Sequence, residues 1–334
     1  MLALFRNNQF TTAIPLALYV MLTHASTLLG YTSVEKGEVP AGAGVLYQMW
    51  FAWLADYPYW SSVLAVVLVL AQAMLVNMLA DEFRLLGDRT WLPGVFYALA
   101  ATCQPDFLLL SPPLVAATFI PMILRRIFKA YNQPKATSLV FDAAFWTTVA
   151  ALFYPPAIFL LIPVYLGFTL IRSYTFREQV VSVTGVLTAL FLCWLWYFWT
   201  DRGMDFWQVQ FVDLAGLYGF DDWKINSKTG LKWLLPTLFC LVILLNYGNY
   251  VFRKLIQIQK YVNVLYLVWF VGGLAFVIQE DPFAPHFMLL ATPTGIFLAM
   301  SFSTFRKRSL AELFHLALLG YVIFIQFFKL AAQG

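Results

Sequence analysis

Residues 60–80 read WSSVLAVVLVLAQAMLVNMLA, twenty-one positions without one charged side chain. About 18 or more such residues make an α-helix long enough to cross the hydrocarbon core of a bilayer. In lipid a helix succeeds where an open strand or loop fails, because it satisfies its own backbone hydrogen bonds. On either side of this run, comparable apolar stretches occupy 10–30, 91–104, 107–124, 138–153, 156–171, 179–199, 231–250, 261–278, 285–302 and 310–330. The sequence therefore predicts an all-α polytopic transmembrane bundle of about eleven spans, folded as a single integral membrane domain over 1–334. Composition points the same way. The chain is 61% hydrophobic and only 11% charged, with a mean hydropathy of +0.74. A soluble domain carries about 25% charged residues, so this surface faces lipid.

Two of the runs are weaker. Residues 91–104 are short for a crossing, and Pro105, Pro112 and Pro113 interrupt the next run. The pair reads either as two spans or as a bent, re-entrant hairpin. The N-terminal run reads as an uncleaved first span.

Lysine and arginine counts orient the chain, since basic loops stay cytoplasmic. With the N-terminus inside, fifteen of the 21 basic residues fall on cytoplasmic segments, including Arg84, Arg125, Arg126, Lys129, Arg172 and Lys260. Asp and Glu lean the other way, with eleven of 17 on the outer side. Insertion does not require that skew, which suggests that the outer face has work for carboxylates. The basic-residue counts place the N-terminus on the cytoplasmic side of the membrane. Basic residues scattered singly between apolar runs do not form a nucleic-acid-binding face. Cys103, Cys193 and Cys240 lie in or beside apolar runs with no metal-ligand spacing. No phosphate loop, nucleophile elbow or zinc motif is present, and neither a cofactor nor a metal is expected.

Two outer segments stand out, 31–59 and 200–230. The first holds Glu35 and Glu38, a Gly/Pro-rich turn, and then YQMWFAWLADYPYW at 47–60. Its tryptophans and tyrosines suit the headgroup layer, and a short helix lying flat on the membrane fits it. The second interleaves Phe206, Trp207, Phe211, Tyr218, Phe220 and Trp223 with five aspartates.

Three sets of residues are candidates for chemistry. Glu35 and Glu38 are either solvated loop glutamates or the carboxylates that take a proton from an acceptor as a sugar leaves a phosphate carrier. Arg202, Lys224, Lys228 and Lys232 run against the positive-inside trend, and they read either as a headgroup-contacting surface or as a lipid-phosphate site. The three lysines would share one face of a helix, although Asn226–Gly230 looks more like a turn. His286, at the outer mouth of the tenth run, is either an ordinary helix-end histidine or a further phosphate contact. Within the spans, His24 is deep, whereas Asp142 and His315 lie close enough to an end to reach water or a loop arginine.

Two stretches carry a resemblance. Residues 122–190 contain Leu124-Arg125-Arg126-Ile127, Val140-Phe141-Asp142-Ala143, Leu152-Phe153-Tyr154 and the turn Arg172 to Glu178. With 286–313 they resemble an uncharacterised family of polytopic inner-membrane proteins from Bacteroidota, which implies a bacterial inner membrane as the location. More distantly, the layout is similar to the GT-C superfamily of polyprenyl-phosphate-sugar glycosyltransferases. The shared features are an inside N-terminus, a long acidic and aromatic first outer loop, many short spans, and the pattern from Pro293 to Ala299. That resemblance implies a GT-C-like fold and a sugar donor on a polyprenyl phosphate. It also implies an envelope acceptor on the periplasmic face and a catalytic carboxylate at Glu35 or Glu38. The first outer loop lacks the adjacent Asp-Asp or Asp-Glu pair often seen in the superfamily. Two other readings stay open: a non-catalytic scaffold of an envelope secretion or motility complex, whose partners would be other envelope proteins, and a transporter of lipid-linked glycans. The transporter reading finds little polar material in the spans beyond His24, Gln72 and Asn77.

Overall fold

The uncharged run at 60–80 folds as part of one helix, Pro58–Glu82, started by a proline whose missing N–H costs nothing at a helix start. The computed structural model describes residues 2–6, 12–30, 40, 42–216, 227–252, 254–277, 284–305 and 307–331. Among these the protein is helical, with no strand. In chain order the principal helices are α1 (Ala13–Thr23), α2 (Val45–Phe51), α3 (Pro58–Glu82), α4 (Leu92–Ala101), α5 (Pro112–Ala117) and α6 (Phe119–Lys129). They are followed by α7 (Thr137–Phe153), α8 (Leu161–Ile171), α9 (Phe176–Trp199), α10 (Ser227–Leu245), α11 (Ile256–Val277), α12 (Met288–Ser303) and α13 (Arg308–Ala331).

Five described segments are long and apolar enough to cross a membrane: Pro58–Glu82, Phe176–Trp199, Ile256–Ala275, Pro285–Ser303 and Arg308–Phe327. The remaining apolar helices are shorter, and every stretch read as a span from the sequence contains helix. The molecule is thus a multi-pass membrane protein. α12 lies at its centre, buried from Met288 to Phe302, whereas α9 and α13 turn most of their surface outward. Apolar side chains such as Leu187, Phe191 and Leu316 are exposed there, as a lipid-facing helix requires.

The doubtful pair is a broken hairpin. α4 has ten residues, all buried, and at 1.5 Å per residue it covers only about half of a ~30 Å core. The chain continues as a short 3₁₀ turn at Pro105–Phe107 and extended residues before α5 and α6 return. Irregular backbone at membrane depth survives only when protein covers it, and Thr102, Cys103, Gln104, Phe107 and Leu108 are all fully buried. Gln72 of α3 closes the hairpin: its Nε2 donates to the Leu114 carbonyl at 2.7 Å and to the Thr118 hydroxyl at 2.6 Å, and Tyr97 donates to its Oε1 at 2.5 Å. One of the few polar groups that a transport path would need is therefore occupied in holding three helices together.

Gly295 lets α12 lie against α4. A Cβ there would come within 2.7 Å of the Tyr97 Cα and N, backbone atoms that cannot swing aside. Gly295→Val is expected to part the helices and to destabilise the protein by about 1–3 kcal/mol, the usual cost of overpacking. Gly273 is the control, since a Cβ there would meet nothing within 4 Å. Thermal unfolding in detergent should show a lower midpoint for Gly295→Val and no loss for Gly273→Ala. Equal midpoints would contradict the packing argument.

One end of the bundle gathers the basic residues. Arg125 and Lys129 of α6 reach Glu82 at 2.5 and 3.3 Å, and Arg126 reaches Asp142 of α7 at 3.3 Å. Lys260 donates to the Ile171 carbonyl at 2.8 Å and lies over the Tyr131 ring. At the start of α9, Glu178 accepts from both the N–H and the hydroxyl of Thr175, and Arg172 approaches it at 3.2 Å. The cations that the sequence assigned to topology alone thus also tie helices together. Asp142 pairs with an arginine as expected. His315 differs: it is fully buried and bonded through Nε2 to the Tyr19 hydroxyl at 3.1 Å, so it reaches neither water nor an arginine. That contact, with Ser26, Thr23 and Gln326, joins the first helices to the last.

Candidate functional site

The opposite end, where α7 and α9 finish, carries the two aromatic segments and will be called the loop end. Gly44 begins α2 by donating its N–H to the Phe153 carbonyl at 2.9 Å. A Cβ on Gly44 would run into the carbonyl oxygen of Leu152, so only glycine lets this loop sit on the end of α7. Tyr47 then donates to the Leu110 carbonyl at 3.3 Å at the tip of the broken hairpin. Burial raises the Tyr47 phenol above its ordinary value, which keeps it a neutral donor.

The second segment docks on the same place. Tyr197 donates to the Val45 carbonyl at 3.0 Å, and Gln210 donates to the Ala151 carbonyl at 2.9 Å. Val45, Leu152, Tyr197 and Phe206 form a small apolar core beneath both segments. Trp50, Trp53, Tyr57, Tyr59 and Trp60 from the first segment, and Trp199 and Trp207 from the second, are exposed around them. In the aromatic stretch at 47–60 the helical structure is α2 and a 3₁₀ turn at Ala52–Asp56, followed by the start of α3.

Between the segments lies a pocket of about 170 Å³. Pro40, Gly42 and Gln48 wall one side, Val209 and Asp213 the other, and Pro155 contributes from the start of the following helical turn. Gln208–Val212 is a π-helical turn, with wider i→i+5 bonding. The wider turn lets Gln208 meet Asp213 five residues on, its Nε2 donating to Oδ1 at 3.0 Å. Nothing in the sequence distinguishes this turn from an ordinary helical one, so the pocket has no local signature. The signal available was the concentration of outer aspartates, to which Asp213 belongs.

The residues singled out by sequence are placed unevenly. Glu35, Glu38 and Lys224 lie outside the described residues. Lys228 lies in helix α10, which begins at Ser227, so Ser227–Gly230 is helical and not a turn. Serine is favoured at helix starts, and the next apolar run extends the same helix. The Lys228 side chain lies outside the described set. Arg202 is exposed, donates through Nε to Asp205 at 2.9 Å, and lies over the Tyr197 ring. The hydrogen bond and charge of Asp205 raise its guanidinium above the ordinary value, so it is a permanent cation beside the docked segment.

His286, read either as an ordinary helix-end histidine or as a phosphate contact at the outer mouth, lies in the short helical turn before α12 and has no accessible surface. Its Nε2 lies 3.3 Å from the Gly272 carbonyl, and its Nδ1 lies 2.9 Å from the Tyr154 hydroxyl. A carbonyl only accepts, so Nε2 carries the proton and Nδ1 accepts from Tyr154. The ring ties α11 and α12 to the end of α7, directly beneath the loop end.

The fold and the site define a multi-pass membrane protein, helical throughout its described residues, with a pocket at one end between two segments rich in exposed aromatic side chains. Its fold is similar to that of ArnT from Cupriavidus metallidurans, solved bound to undecaprenyl phosphate, with TM-score 0.52 and 12% identity, over 88% of this chain and 56% of that one. ArnT solved in the apo state gives a TM-score of 0.49 and 12% identity over 89% and 56%. The chain therefore spans little more than half of the length of the structures it matches. At 12% identity the likeness is one of fold. No family model and no curated protein sequence matches the chain.

Proposed function

We propose that this chain is a GT-C-like membrane glycosyltransferase that moves a sugar from a polyprenyl-phosphate carrier to an envelope acceptor. The observation that carries the reading is the fold shared with ArnT, a protein solved with undecaprenyl phosphate. The convergence of both acidic, aromatic segments on the end of α7 supports it. In this reading the chain is one domain with about eleven crossings in a bacterial inner membrane. Its N-terminus and basic end face the cytoplasm, and its loop end faces the periplasm.

Each group has a task at that face. Glu35 or Glu38 takes the proton from the acceptor hydroxyl as the bond between the sugar carbon and the phosphate oxygen breaks, and offsets the positive charge that develops on the sugar. Arg202, Lys224 and Lys228 neutralise the departing lipid phosphate. His286, with both ring nitrogens engaged, supports the site from below.

The test uses the full chain, purified and placed in lipid nanodiscs. It is supplied with undecaprenyl-phosphate-linked sugars and candidate envelope acceptors, and free undecaprenyl phosphate is measured. Release that depends on both enzyme and acceptor is expected. Absence of release across the donor set, together with stable co-purification of envelope proteins, would overturn the reading in favour of a scaffold.

A further inference from the structure

We infer that the loop-end pocket is a subsite for a neutral, polyhydroxylated group, a sugar ring, and that it rejects phosphate. The inference rests on the proposed transferase reading for its biological sense, but its evidence is the pocket itself.

Size comes first. Pockets for drug-sized ligands run to about 300–1,000 Å³, and this one, at about 170 Å³, takes a single ring-sized group. Charge comes second. Among its described lining residues none is cationic, and the one ionisable side chain is the carboxylate of Asp213. A phosphate brought there would meet like charge without a compensating cation among the described lining residues. Hydroxyl groups instead donate to a carboxylate, and two neighbouring hydroxyls can share its two oxygens.

The hydrogen-bond inventory agrees. Asp213 accepts from Gln208 through Oδ1, and Oδ2 makes no hydrogen bond among the described residues. Gln48 donates through Nε2 to the Ala43 carbonyl at 3.1 Å, and its Oε1 is likewise unengaged among them. π-Turns recur at functional sites because they re-aim side chains, and here the turn supplies both the Val209 wall and the fixed Asp213. Pro40 follows Glu38 by two residues, so one short stretch of chain supplies both the pocket wall and a candidate catalytic carboxylate. The cation Arg202 belongs to the docked segment but does not line the pocket. Sugar and phosphate are thereby assigned to separate places.

Saturation-transfer NMR on the full chain in nanodiscs tests this without reference to turnover. The probes are neutral methyl glycosides and, separately, inorganic phosphate. Wild type should show glycoside signals that phosphate does not displace. Asp213→Asn keeps the Oδ1 acceptor for Gln208 and should weaken glycoside binding about tenfold or more, the scale of one lost charge-assisted hydrogen bond. Leu214→Trp, which fills the pocket from its rim, should abolish the signal. Either variant should retain the wild-type unfolding midpoint. No glycoside signal in wild type, signals unchanged in both variants, or displacement by phosphate would each overturn the subsite. Turnover persisting alongside any of those results would leave the transferase reading intact.

Discussion

Replacing Glu35 and Glu38 together by glutamine is expected to lower sugar transfer by about 10²–10⁴-fold, the range for removal of a general base. Glutamine keeps the shape and the hydrogen-bonding carbonyl of glutamate, but it cannot take the acceptor proton or oppose positive charge on the sugar. A solvated pair of loop glutamates would lose almost nothing on this exchange. The measurement is the acceptor-dependent release of undecaprenyl phosphate, with thermal unfolding as the check that the protein is intact. The single variants then divide the roles, since the residue that acts as base should account for nearly all of the loss. Rates within a factor of about two of wild type in the double variant would remove both glutamates from the mechanism.

Arg172→Met is expected to cost about 3–5 kcal/mol of stability, the penalty for leaving a buried charge without its partner. The Arg172 and Glu178 side chains are 14% and 5% exposed, so little solvent reaches the pair. The contact of 3.2 Å falls short of hydrogen-bond alignment, and its attraction is charge with charge. Methionine keeps the apolar stem and packing while removing that charge. Glu178 would then rely on Thr175 and the Ala136 backbone N–H at the start of α9. Adding Glu178→Gln should restore most of the loss, because the orphaned charge disappears with it. Thermal midpoints of the single and double variants decide the matter. A harmless single change, or a double variant no better than the single, would show that the pair is not the source of stability.

Much of the helical plan was legible because it depends on length and polarity alone. The uncharged run at 60–80 could become nothing but a long apolar helix, and it is contained in α3. Residues 91–124 were harder, because α4 is too short to cross and the backbone after it is covered by other elements, among them Gln72, Tyr47, Phe287 and the last helix. Those are tertiary facts with no local signature. The basic residues read as a topological fringe, which is correct as a pattern but silent about Glu82, Asp142 and Glu178 as their partners. The candidate site was legible only as two suspicious segments. Their meeting depends on Gly44 lying against Leu152, and Asp213 depends on an extra residue in one helical turn. The place of His286 along the chain marked a helix end, whereas its burial depends on Tyr154 and Gly272 from other elements and could not be read locally.

In the proposed function a polyprenyl phosphate is handled at the loop end. Photo-cross-linking with undecaprenyl phosphate carrying a diazirine next to the phosphate locates that contact. Labelled peptides are expected from 40–60 and 199–232, suppressed by excess unlabelled carrier. Labelling confined to the basic end, at 83–91 or 125–136, or labelling that unlabelled carrier does not suppress, would contradict it.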